Sequence, residues 1–411
     1  MRYIYNLLIY LVGFGLNLVS HFNRKIRLFV SGRKETFGIL KNTLKTVDDT
    51  IWIHAASLGE YEQGLPILER LKKQYPKHKI VLTFFSPSGY EVKKESTSAD
   101  VVTYLPMDSL SNAKRFLDVV NPSIAIFIKY EIWPNYLREL EKRGIPALLV
   151  SALFSERQVF FKFYGGFMRN SLKKFHHFFV QDENSVNLLQ SIGFQNITIN
   201  GDTRFDRVSE ILERDNHLEF MESFKQKNTC FVAGSTWQED EEILVKYINS
   251  SNTSLKFVLA PHTMKPVQLD KLTNSISKKV IKYSDLGSSE ISSADVLIID
   301  TIGLLTKIYS YADIAYVGGG FATGLHNTLE PAVFGIPVII GPQYHGFKEA
   351  EALVKKKGVI VIDGFDAFKA TLSQFMEDSE FLVSTGKINA TYIKQNQGAS
   401  TRIMEHIQSI L

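Results

Sequence analysis

Short runs of β-branched and other apolar residues alternate along this chain with stretches of helical spacing, and this alternation constrains the fold more than any other feature. In the first half the predicted strands are Ile51–Ala55, Ile80–Thr83, Ile124–Ile128, Ala147–Val150 and Phe178–Val180. In the second half they are Cys230–Ala233, Phe257–Ala260, Val296–Ile299, Ile314–Val317 and Val338–Ile340. Strands of a parallel sheet are buried on both faces and joined by helices, so they read as continuous apolar runs. The pattern therefore predicts an α/β fold built on parallel sheets.

A chain of 411 residues exceeds what one hydrophobic core usually organises, which predicts two domains. We expect an N-terminal segment over 1–34, Rossmann-like domains over 35–205 and 229–411, and a polar linker over 206–228. In open α/β sheets, ligands bind beyond the carboxyl ends of the strands. Each domain is therefore expected to direct its strand-end loops toward a shared cleft.

The N-terminal segment favours attachment to a membrane. From Tyr3 to Phe22 the chain has no Lys, Arg, Asp or Glu, and twenty residues of helix measure about 30 Å, the thickness of a bilayer core. The basic residues that follow are Arg24, Lys25, Arg27, Arg33 and Lys34. Under the positive-inside rule they place the body of the protein in the cytoplasm. Asn6, Asn17 and His21 leave open whether the helix spans the membrane, lies in its interface or docks on the protein itself.

Charge and cysteine content narrow the class of protein. A net charge of +4 suits anionic small molecules or an anionic membrane surface, and it is too weak to argue for nucleic acid. The single cysteine, Cys230, excludes an intramolecular disulfide. Because Cys230 opens an apolar run, we interpret it as a buried structural thiol in a reducing compartment.

The end of the first predicted strand carries a candidate base. The segment His54-Ala-Ala-Ser57-Leu-Gly-Glu60 has the spacing of a capping box, in which Glu60 merely closes a helix N-terminus. In the functional interpretation, Glu60 takes the proton from an attacking hydroxyl in an inverting sugar transfer. A helix N-terminus is expected to keep this carboxylate ionised.

Two further segments of the first half follow predicted strands. In Glu131-Ile-Trp133-Pro-Asn135, Glu131 is a site candidate at a strand end, whereas Trp133 fits either a core or a ligand platform. In Gly201-Asp202-Thr-Arg204-Phe-Asp206, the guanidinium of Arg204 suits a phosphate or carboxylate. The alternative is a structural ion pair between Arg204 and a neighbouring aspartate.

The second half contains sequences typical of phosphate-binding loops. Gly234-Ser235-Thr236 lies between a strand and a helix, where Ser235 is either an anion contact or a simple helix cap. The stretch Gly318-Gly319-Gly320 leads into a helix with Asn327 at its start and Glu330 one turn in. We interpret Glu330 as an acceptor for ribose hydroxyls, although Asn-x-x-Glu also resembles a capping box.

Taken together, these segments and Asp300-Thr-Ile-Gly303 resemble the 3-deoxy-D-manno-octulosonic acid (Kdo) transferases of lipopolysaccharide assembly. The resemblance runs over most of the chain. It implies a GT-B fold of two Rossmann-like domains facing a central cleft. It also implies metal-independent, inverting transfer of Kdo from CMP-Kdo to a lipid A precursor at the cytoplasmic face of the inner membrane.

The resemblance assigns roles to individual residues. Glu60 matches the general base, and Glu131 and Arg204 match positions that stabilise the transition state. Gly319 and Ser235 belong to the donor loops described above. The other implied donor contacts are Pro261, His262, Gly303, Leu304, Leu305, Asn327, Thr328, Leu329 and Glu330.

The chain also departs from the family pattern. The usual Pro-Arg-His is Pro261-His262-Thr263 here, which leaves His262 or Lys265 to hold the donor phosphate, and the usual Gly-Glu-Leu is Gly303-Leu304-Leu305. Arg204 replaces a lysine. A nucleotide-sugar 2-epimerase of the same architecture and a non-catalytic, membrane-anchored binder of sugar nucleotides are the alternative functions.

Overall fold

The computed structural model describes residues 1–287, 291–322 and 324–411. The chain forms two compact units. The first comprises Met1–Arg207 together with Gln397–Leu411, and the second comprises Val208–Asn396. Each unit contains one seven-stranded sheet whose strands are all parallel.

The first sheet has the strand order β3-β2-β1-β4-β5-β6-β7. Its strands are β1 Thr50–Ala55, β2 Lys79–Phe84, β3 Val101–Tyr104, β4 Pro122–Ile128, β5 Ala147–Ala152, β6 His177–Val180 and β7 Ile197–Ile199. The helices of this part of the chain are α1 Arg2–Val19, α2 Arg24–Thr43, α3 Leu58–Gln74, α4 Pro87–Lys93, α5 Leu110–Val120, α6 Pro134–Lys142, α7 Gly166–Leu172, α8 Glu183–Ser191 and α9 Arg204–Ser209. Alternate residues of β1 enter two cores, Ile51 and Ile53 on one face and Trp52 on the other.

The second sheet has the order β10-β11-β9-β8-β12-β13-β14. Its strands are β8 Cys230–Thr236, β9 Lys256–Pro261, β10 Val280–Lys282, β11 Val296–Ile298, β12 Ile314–Val317, β13 Val338–Ile340 and β14 Val359–Val361. Its helices are α10 Glu219–Lys225, α11 Gln238–Ser250, α12 Pro266–Ser275, α13 Leu305–Ile308, α14 Leu329–Ala332, α15 Lys348–Lys355, α16 Phe365–Glu377 and α17 Ser379–Gln395. The chain ends with α18 Ala399–Gln408.

All ten predicted strands are present, with small differences at their ends. The four strands that the sequence did not predict are β3, β7, β10 and β14, which are the edge strands of the two sheets. Edge strands are short and partly exposed, so they lack the continuous apolar run of a central strand. Cys230 is buried, as predicted, and burial raises its pKa to about 12, which makes it an inert thiol.

The last helix belongs to the first unit, whereas we expected the second domain to extend to residue 411. Ile403, Met404 and Ile407 of α18 join the core that contains Ile51 and Ile53. The carboxylate of Asp206 accepts hydrogen bonds from the backbone N–H groups of Gly398 and Ser400, both at 2.6 Å. Apolar burial and this capped helix start therefore hold α18 on the first unit.

The segment predicted as a polar linker is partly helical. Met221 and Phe224 of α10 are fully buried in the second unit. The ammonium of Lys225 lies 2.8 Å from a carboxylate oxygen of Asp313. This helix thus packs as part of the second unit.

Candidate active site

Two carboxylates come together at the carboxyl ends of β1 and β4. These strands are neighbours, with His54 of β1 in register with Phe127 of β4. Glu60 lies in the first turn of α3, directly after β1, and Glu131 lies shortly after β4. The negative charge of Glu131 acts on Glu60 and raises its pKa. The structure therefore brings together two of the three predicted catalytic residues.

Glu131 is held by two side-chain donors. Its Oε2 atom lies 3.0 Å from Nε2 of His54 and 2.9 Å from Nε1 of Trp133. The side chain is 11% exposed. Both donors contact Oε2, and these two hydrogen bonds also fix the orientation of Oε1. Trp133 packs against the core, as in one of its two interpretations, and also donates this hydrogen bond, whereas its role as a ligand platform stays a prediction.

The His54 ring is fixed from its other side by Thr83 of β2. Nδ1 of His54 lies 2.8 Å from Oγ1 of Thr83, and the same hydroxyl accepts a hydrogen bond from Nε1 of Trp52 at 2.8 Å. When His54 carries its proton on Nε2, the Thr83 hydroxyl donates to Nδ1 and His54 donates to Glu131. Hydrogen bonds therefore connect Trp52, Thr83, His54 and Glu131 in series.

The Glu60 carboxylate is tuned to neutral pH. Burial and the charge of Glu131 raise its pKa to about 7, against the opposing effects of Lys129 and the backbone N–H groups of Ala56 and Ser57. The helix N-terminus was expected to keep Glu60 ionised, but it does not hold the pKa near its ordinary value, because desolvation and a like charge outweigh the backbone donors. A carboxylate with this pKa is suited to general base catalysis.

The reciprocal capping box does not form at the start of α3. The carboxylate of Glu60 accepts a hydrogen bond from the backbone N–H of Ala56. Ser57, the N-cap residue, makes no side-chain capping hydrogen bond. One half of the capping box, the contact of Glu60 with backbone N–H groups, is therefore present, and the Ser57 half is absent.

Sequence reasoning missed the contributions of His54, Thr83 and Lys129. Lys129 has a φ angle of +66°, a left-handed conformation that is uncommon for a lysine. Its charge favours the ionised form of Glu60. The sequence offered one indication of these roles: His54 begins the segment that contains Glu60, and Lys129 lies two residues before Glu131.

Arg204 forms the ion pair that was the alternative to an anion clamp. Its Nε and Nη2 atoms lie 2.9 Å and 2.8 Å from Oδ2 of Asp202. Asp202 is buried and also accepts a hydrogen bond from Nε2 of Gln63 at 3.1 Å. Gln63 lies one turn after Glu60 on α3. Asp202 therefore links Arg204 to the helix that carries Glu60. The side chain of Arg204 remains 32% exposed.

In the second unit, several predicted donor residues lie at or just after the carboxyl ends of four adjacent strands. The order β11-β9-β8-β12 brings the ends of these strands side by side. They lead to Gly303, to Pro261 and His262, to Ser235, and to Gly319. Because the strands are parallel, these residues share one edge of the sheet, as expected for a ligand site in an open α/β fold.

Asp240 ties two of these loops together. Its buried carboxylate accepts hydrogen bonds from the N–H of Gly319 at 2.9 Å, the N–H of Trp237 at 2.8 Å and the hydroxyl of Tyr316 at 2.6 Å. Gly319 has a φ angle of +93°, and a Cβ there would lie 2.2 Å from the carbonyl oxygen of Gly324. Only glycine fits this turn. No role was predicted for Asp240. Its carboxylate fixes the loop of Gly319, which is a predicted donor contact.

His262 is stacked within an aromatic group. Its ring centroid lies 4.6 Å from that of Trp237, with 19° between the planes, and 4.6 Å from that of His326. Nε1 of Trp237 lies 3.0 Å from Nε2 of His326. Burial and His262 lower the pKa of His326, which favours the neutral ring that accepts this hydrogen bond.

We expected a helix that begins at Asn327 with Glu330 one turn in, but α14 begins at Leu329 after the N-cap residue Thr328, so Glu330 is its second residue. Nδ2 of Asn327 donates to Oε1 of Glu330 at 3.1 Å, and Oδ1 of Asn327 accepts from the N–H of Leu329 at 3.1 Å. Thr328 is 1% exposed, and its hydroxyl has no hydrogen-bond partner. Leu304 and Leu305 begin α13, and Leu305 packs against Gly234 together with Tyr309.

The comparisons with known proteins decide the family. A profile described as "3-Deoxy-D-manno-octulosonic-acid transferase (kdotransferase)" matches residues 31–207. A 3-deoxy-D-manno-octulosonic acid transferase of Aquifex aeolicus is 30% identical over 77% of this chain and 83% of that protein. This chain belongs to the 3-deoxy-D-manno-octulosonic acid transferase family. The protein is therefore a glycosyltransferase.

Two more transferases of the same name extend the match. The protein from Chlamydophila psittaci is 31% identical over 74% of this chain and 72% of its own length. The protein from Haemophilus influenzae is 27% identical over 92% of this chain and 91% of its own length. The predicted family is confirmed.

Solved structures confirm the GT-B type of fold predicted for this transferase. A UDP-GlcNAc 2-epimerase from Neisseria meningitidis superimposes with a TM-score of 0.62 at 16% identity, covering 88% of this chain and 100% of that one. The calicheamicin glycosyltransferase CalG4 has a TM-score of 0.54 at 11% identity, covering 89% of this chain and 98% of that one. At these identities the likeness concerns the fold alone, and it does not favour the epimerase alternative.

Proposed function

We propose that this transferase moves Kdo from CMP-Kdo to a lipid A precursor with inversion at the anomeric carbon and without a metal ion. The single observation that carries the chemistry is the Glu60 carboxylate, which lies at a strand end beside Glu131 and has a pKa of about 7. A base of this strength is partly deprotonated at neutral pH, and it still binds a proton well enough to remove one from a hydroxyl group in the transition state.

In the proposed step, the acceptor hydroxyl loses its proton to Glu60 while its oxygen bonds to the anomeric carbon. The bond between that carbon and the phosphate oxygen of CMP breaks, and its electron pair leaves with CMP. Since the hydroxyl attacks opposite the leaving group, the configuration inverts.

Glu131 and Arg204 are proposed to stabilise the transition state. A sugar transfer passes through an oxocarbenium-like state, so positive charge develops on the ring. The Glu131 carboxylate, oriented by His54 and Trp133, has the charge that opposes it. Arg204 supplies positive charge for the anionic groups of donor or acceptor, and Asp202 orients its guanidinium.

The second unit is proposed to bind CMP-Kdo. Ser235, Gly319 and their neighbours would supply backbone and hydroxyl donors to phosphate, and Glu330 would accept hydrogen bonds from the ribose. His262 is proposed to hold phosphate in place of the usual arginine, and its stacking on Trp237 fixes its ring for this contact. The remaining proposed contacts are Pro261, Gly303, Leu304, Leu305, Asn327, Thr328 and Leu329.

The apolar helix α1 is proposed to attach the enzyme to the cytoplasmic face of the inner membrane, where a lipid acceptor would lie. Within residues 1–287, 291–322 and 324–411, α1 is the helix that is long and apolar enough to cross a bilayer. The basic residues after it suit an anionic leaflet.

The experiment is a transfer assay with the full-length protein, CMP-Kdo and a lipid A precursor, analysed by mass spectrometry. We expect the acceptor mass to increase by one or more Kdo residues, with and without EDTA. Donor hydrolysis without any glycosylated lipid would contradict the proposed acceptor, and loss of transfer in EDTA would contradict the metal-free reaction. A parallel incubation with UDP-GlcNAc tests the epimerase alternative.

A further inference from the structure

The helix α1 lies against the first unit along its whole length. Its half-buried positions include Arg2, Asn6, Ile9, Gly13 and Leu16, and they are followed by buried Ser20. This spacing of three to four residues is one face of a helix. One side of α1 therefore faces the protein from its first turn to its end.

Polar contacts anchor the first turn of this face. The hydroxyl of Tyr5 donates to Oδ2 of Asp108 at 2.6 Å, and Nδ2 of Asn135 donates to Oδ1 of Asn6 at 2.8 Å. Asp108 is fully buried and also accepts hydrogen bonds from the backbone N–H groups of Asn135 and Tyr136. These groups belong to the folded domain, which cannot enter a bilayer core.

The second half of α1 is fixed by α2. Nε of Arg27 donates to the carbonyl oxygen of Ser20 at 3.2 Å, and Nη2 donates to that of His21 at 3.1 Å. Gly13, Leu16 and Asn17 line a cavity of about 190 Å³ together with Phe29, Val30 and Arg33 of α2. Both ends of α1 are thus held on the same side of any membrane that the protein contacts.

The opposite face of α1 is apolar and uncovered. Tyr3, Leu7, Leu11, Phe14 and Leu18 are each more than half exposed, and Phe22, just beyond the helix, is 91% exposed. They recur every three to four residues and form one stripe. No Asp or Glu occurs in residues 1–34, which contain six Lys and Arg residues. An apolar stripe flanked by basic residues alone is complementary to an anionic lipid surface.

A pair of exposed aromatic residues lies on the loop before α7, the helix that contacts the first turn of α1. Phe163 is 94% exposed, Tyr164 is 60% exposed, and their rings contact each other. The loop that carries them leads into α7, where the ring of Phe167 lies 5.4 Å from that of Tyr5. The backbone of the loop is held by Nη1 of Arg169, which donates to the carbonyl oxygen of Lys162 at 2.7 Å. Exposed aromatic side chains of this kind favour the interfacial region of a bilayer.

We infer that α1 does not cross the membrane but lies in the plane of its surface, docked on the first unit, and that the Phe163–Tyr164 pair is a second membrane contact. The occupant of the uncovered face is the headgroup and upper acyl region of an anionic phospholipid leaflet. The inference concerns how the proposed membrane attachment is made, so it rests on that part of the proposed function and not on the sugar transferred.

Depth measurements on the full-length protein test the orientation. Single cysteines replace Tyr3, Leu11 or Leu18 in three variants and carry an environment-sensitive fluorophore. Cys230 can remain, because it is buried and its thiol is inert. Vesicles of phosphatidylethanolamine and phosphatidylglycerol contain lipids with a quencher near the headgroup or deep in the acyl chain. A label at Val267, which is 80% exposed on the second unit, is the control.

We expect the three α1 labels to be quenched equally, and most strongly by the shallow quencher, while the Val267 label is unaffected. A spanning helix would place Leu11 deepest and protect the Tyr3 label from an impermeant reagent added on the side of the folded body. That result would overturn the inference. If fluorescence of the α1 labels did not change with vesicles but changed with protein concentration, the exposed face of α1 would contact a second copy of the chain. That result would also overturn the inference.

The aromatic pair is tested by vesicle sedimentation of the Phe163→Ala/Tyr164→Ala double variant beside a Val267→Ala control. We expect partitioning of the double variant to weaken about tenfold, because two aromatic rings no longer enter the interface. Equal partitioning of a variant with a normal melting temperature would refute the second contact. Both experiments omit the sugar donor, so an enzyme that binds in plane yet transfers no Kdo would contradict the proposed function alone.

Discussion

His54 and Glu131 are joined by a 3.0 Å hydrogen bond between Nε2 and Oε2, although 77 positions separate them in the sequence. His54 is buried near the carboxyl end of β1, and Glu131 follows the neighbouring strand β4. The hydrogen bond sets the orientation of a carboxylate that in turn raises the pKa of Glu60. The pKa of the proposed base, Glu60, therefore depends on His54 through its contact with Glu131.

His54→Phe should lower turnover through the loss of this orientation. Glu131 would keep the hydrogen bond from Trp133 and lose the one from His54. We expect the loss of this hydrogen bond to a carboxylate to cost about 1–3 kcal/mol. We expect kcat to fall while KM for CMP-Kdo changes little, since His54 belongs to the first unit. His54→Gln, which retains a donor, should recover part of kcat. Equal losses in kcat and melting temperature for both variants would indicate a purely structural role.

Glu60→Gln should lower turnover by about 10²–10⁴-fold, because the amide cannot accept the acceptor's proton. Glu62→Gln is the matched control, since Glu62 lies on the same helix with a half-exposed side chain. If Glu60 were only a helix cap, the variant would instead lose about 0.5–2 kcal/mol of stability with normal turnover. Turnover and melting temperature measured on the same samples separate the two roles, and near-normal turnover would transfer the base assignment to Glu131.

The pH profile of kcat/KM should rise with pH and level off above about 7, as Glu60 loses its proton. The charge of Glu131 raises the pKa of Glu60, so Glu131→Gln should move the rising limb to lower pH while it lowers the maximum rate. A profile recorded for both proteins between pH 5 and 9 checks this. An unchanged midpoint in the variant would mean that another group titrates.

Glu330→Ala should weaken CMP binding by about 1–3 kcal/mol, the loss of a charged hydrogen bond to the ribose. Calorimetric titration with CMP measures this change, and Glu242→Ala on α11 is a control that carries the same change of charge in the second unit. Because Asn327 donates to Glu330 and accepts a hydrogen bond from the N–H of Leu329 at the start of α14, melting temperatures of both variants are needed. Normal CMP affinity in a folded Glu330→Ala protein would mean that Glu330 only accepts the hydrogen bond from Asn327 and does not bind the ribose.

Stability should decrease as the pH falls from about 6.5 toward 4. Burial, together with His406 and His176, lowers the pKa of His177 from 6.5 to about 4 in the folded state. The unfolded chain therefore binds more protons than the folded one across this window, and acid favours unfolding. In His177→Gln the slope of melting temperature against pH should be shallower there. A parallel slope would mean that the pKa of His177 is the same in the folded and unfolded states.

Ten strands were readable from the sequence, because a central parallel strand is apolar on both faces. The edge strands β3, β7, β10 and β14 were not, since their residues depend on a neighbouring strand for their hydrogen bonds. Similarly, the apolar stretch from Tyr3 to Phe22 predicted a helix with an affinity for lipid. Its contact with Asp108, 103 positions after Tyr5, is visible only in the folded chain.

The sequence by itself also determined the order of the motifs, the glycines of tight turns and the candidate residues Glu60, Glu131, Arg204 and Glu330. Their chemical states were decided by the tertiary structure. Local rules predicted an ionised Glu60 at a helix N-terminus, whereas burial and Glu131 raise its pKa to about 7. Arg204 pairs with Asp202, and Asp206 instead holds α18, 192 positions away from it. Helix caps and apolar spacing act over a few residues, but desolvation and charge act through space, between groups that only the fold brings together.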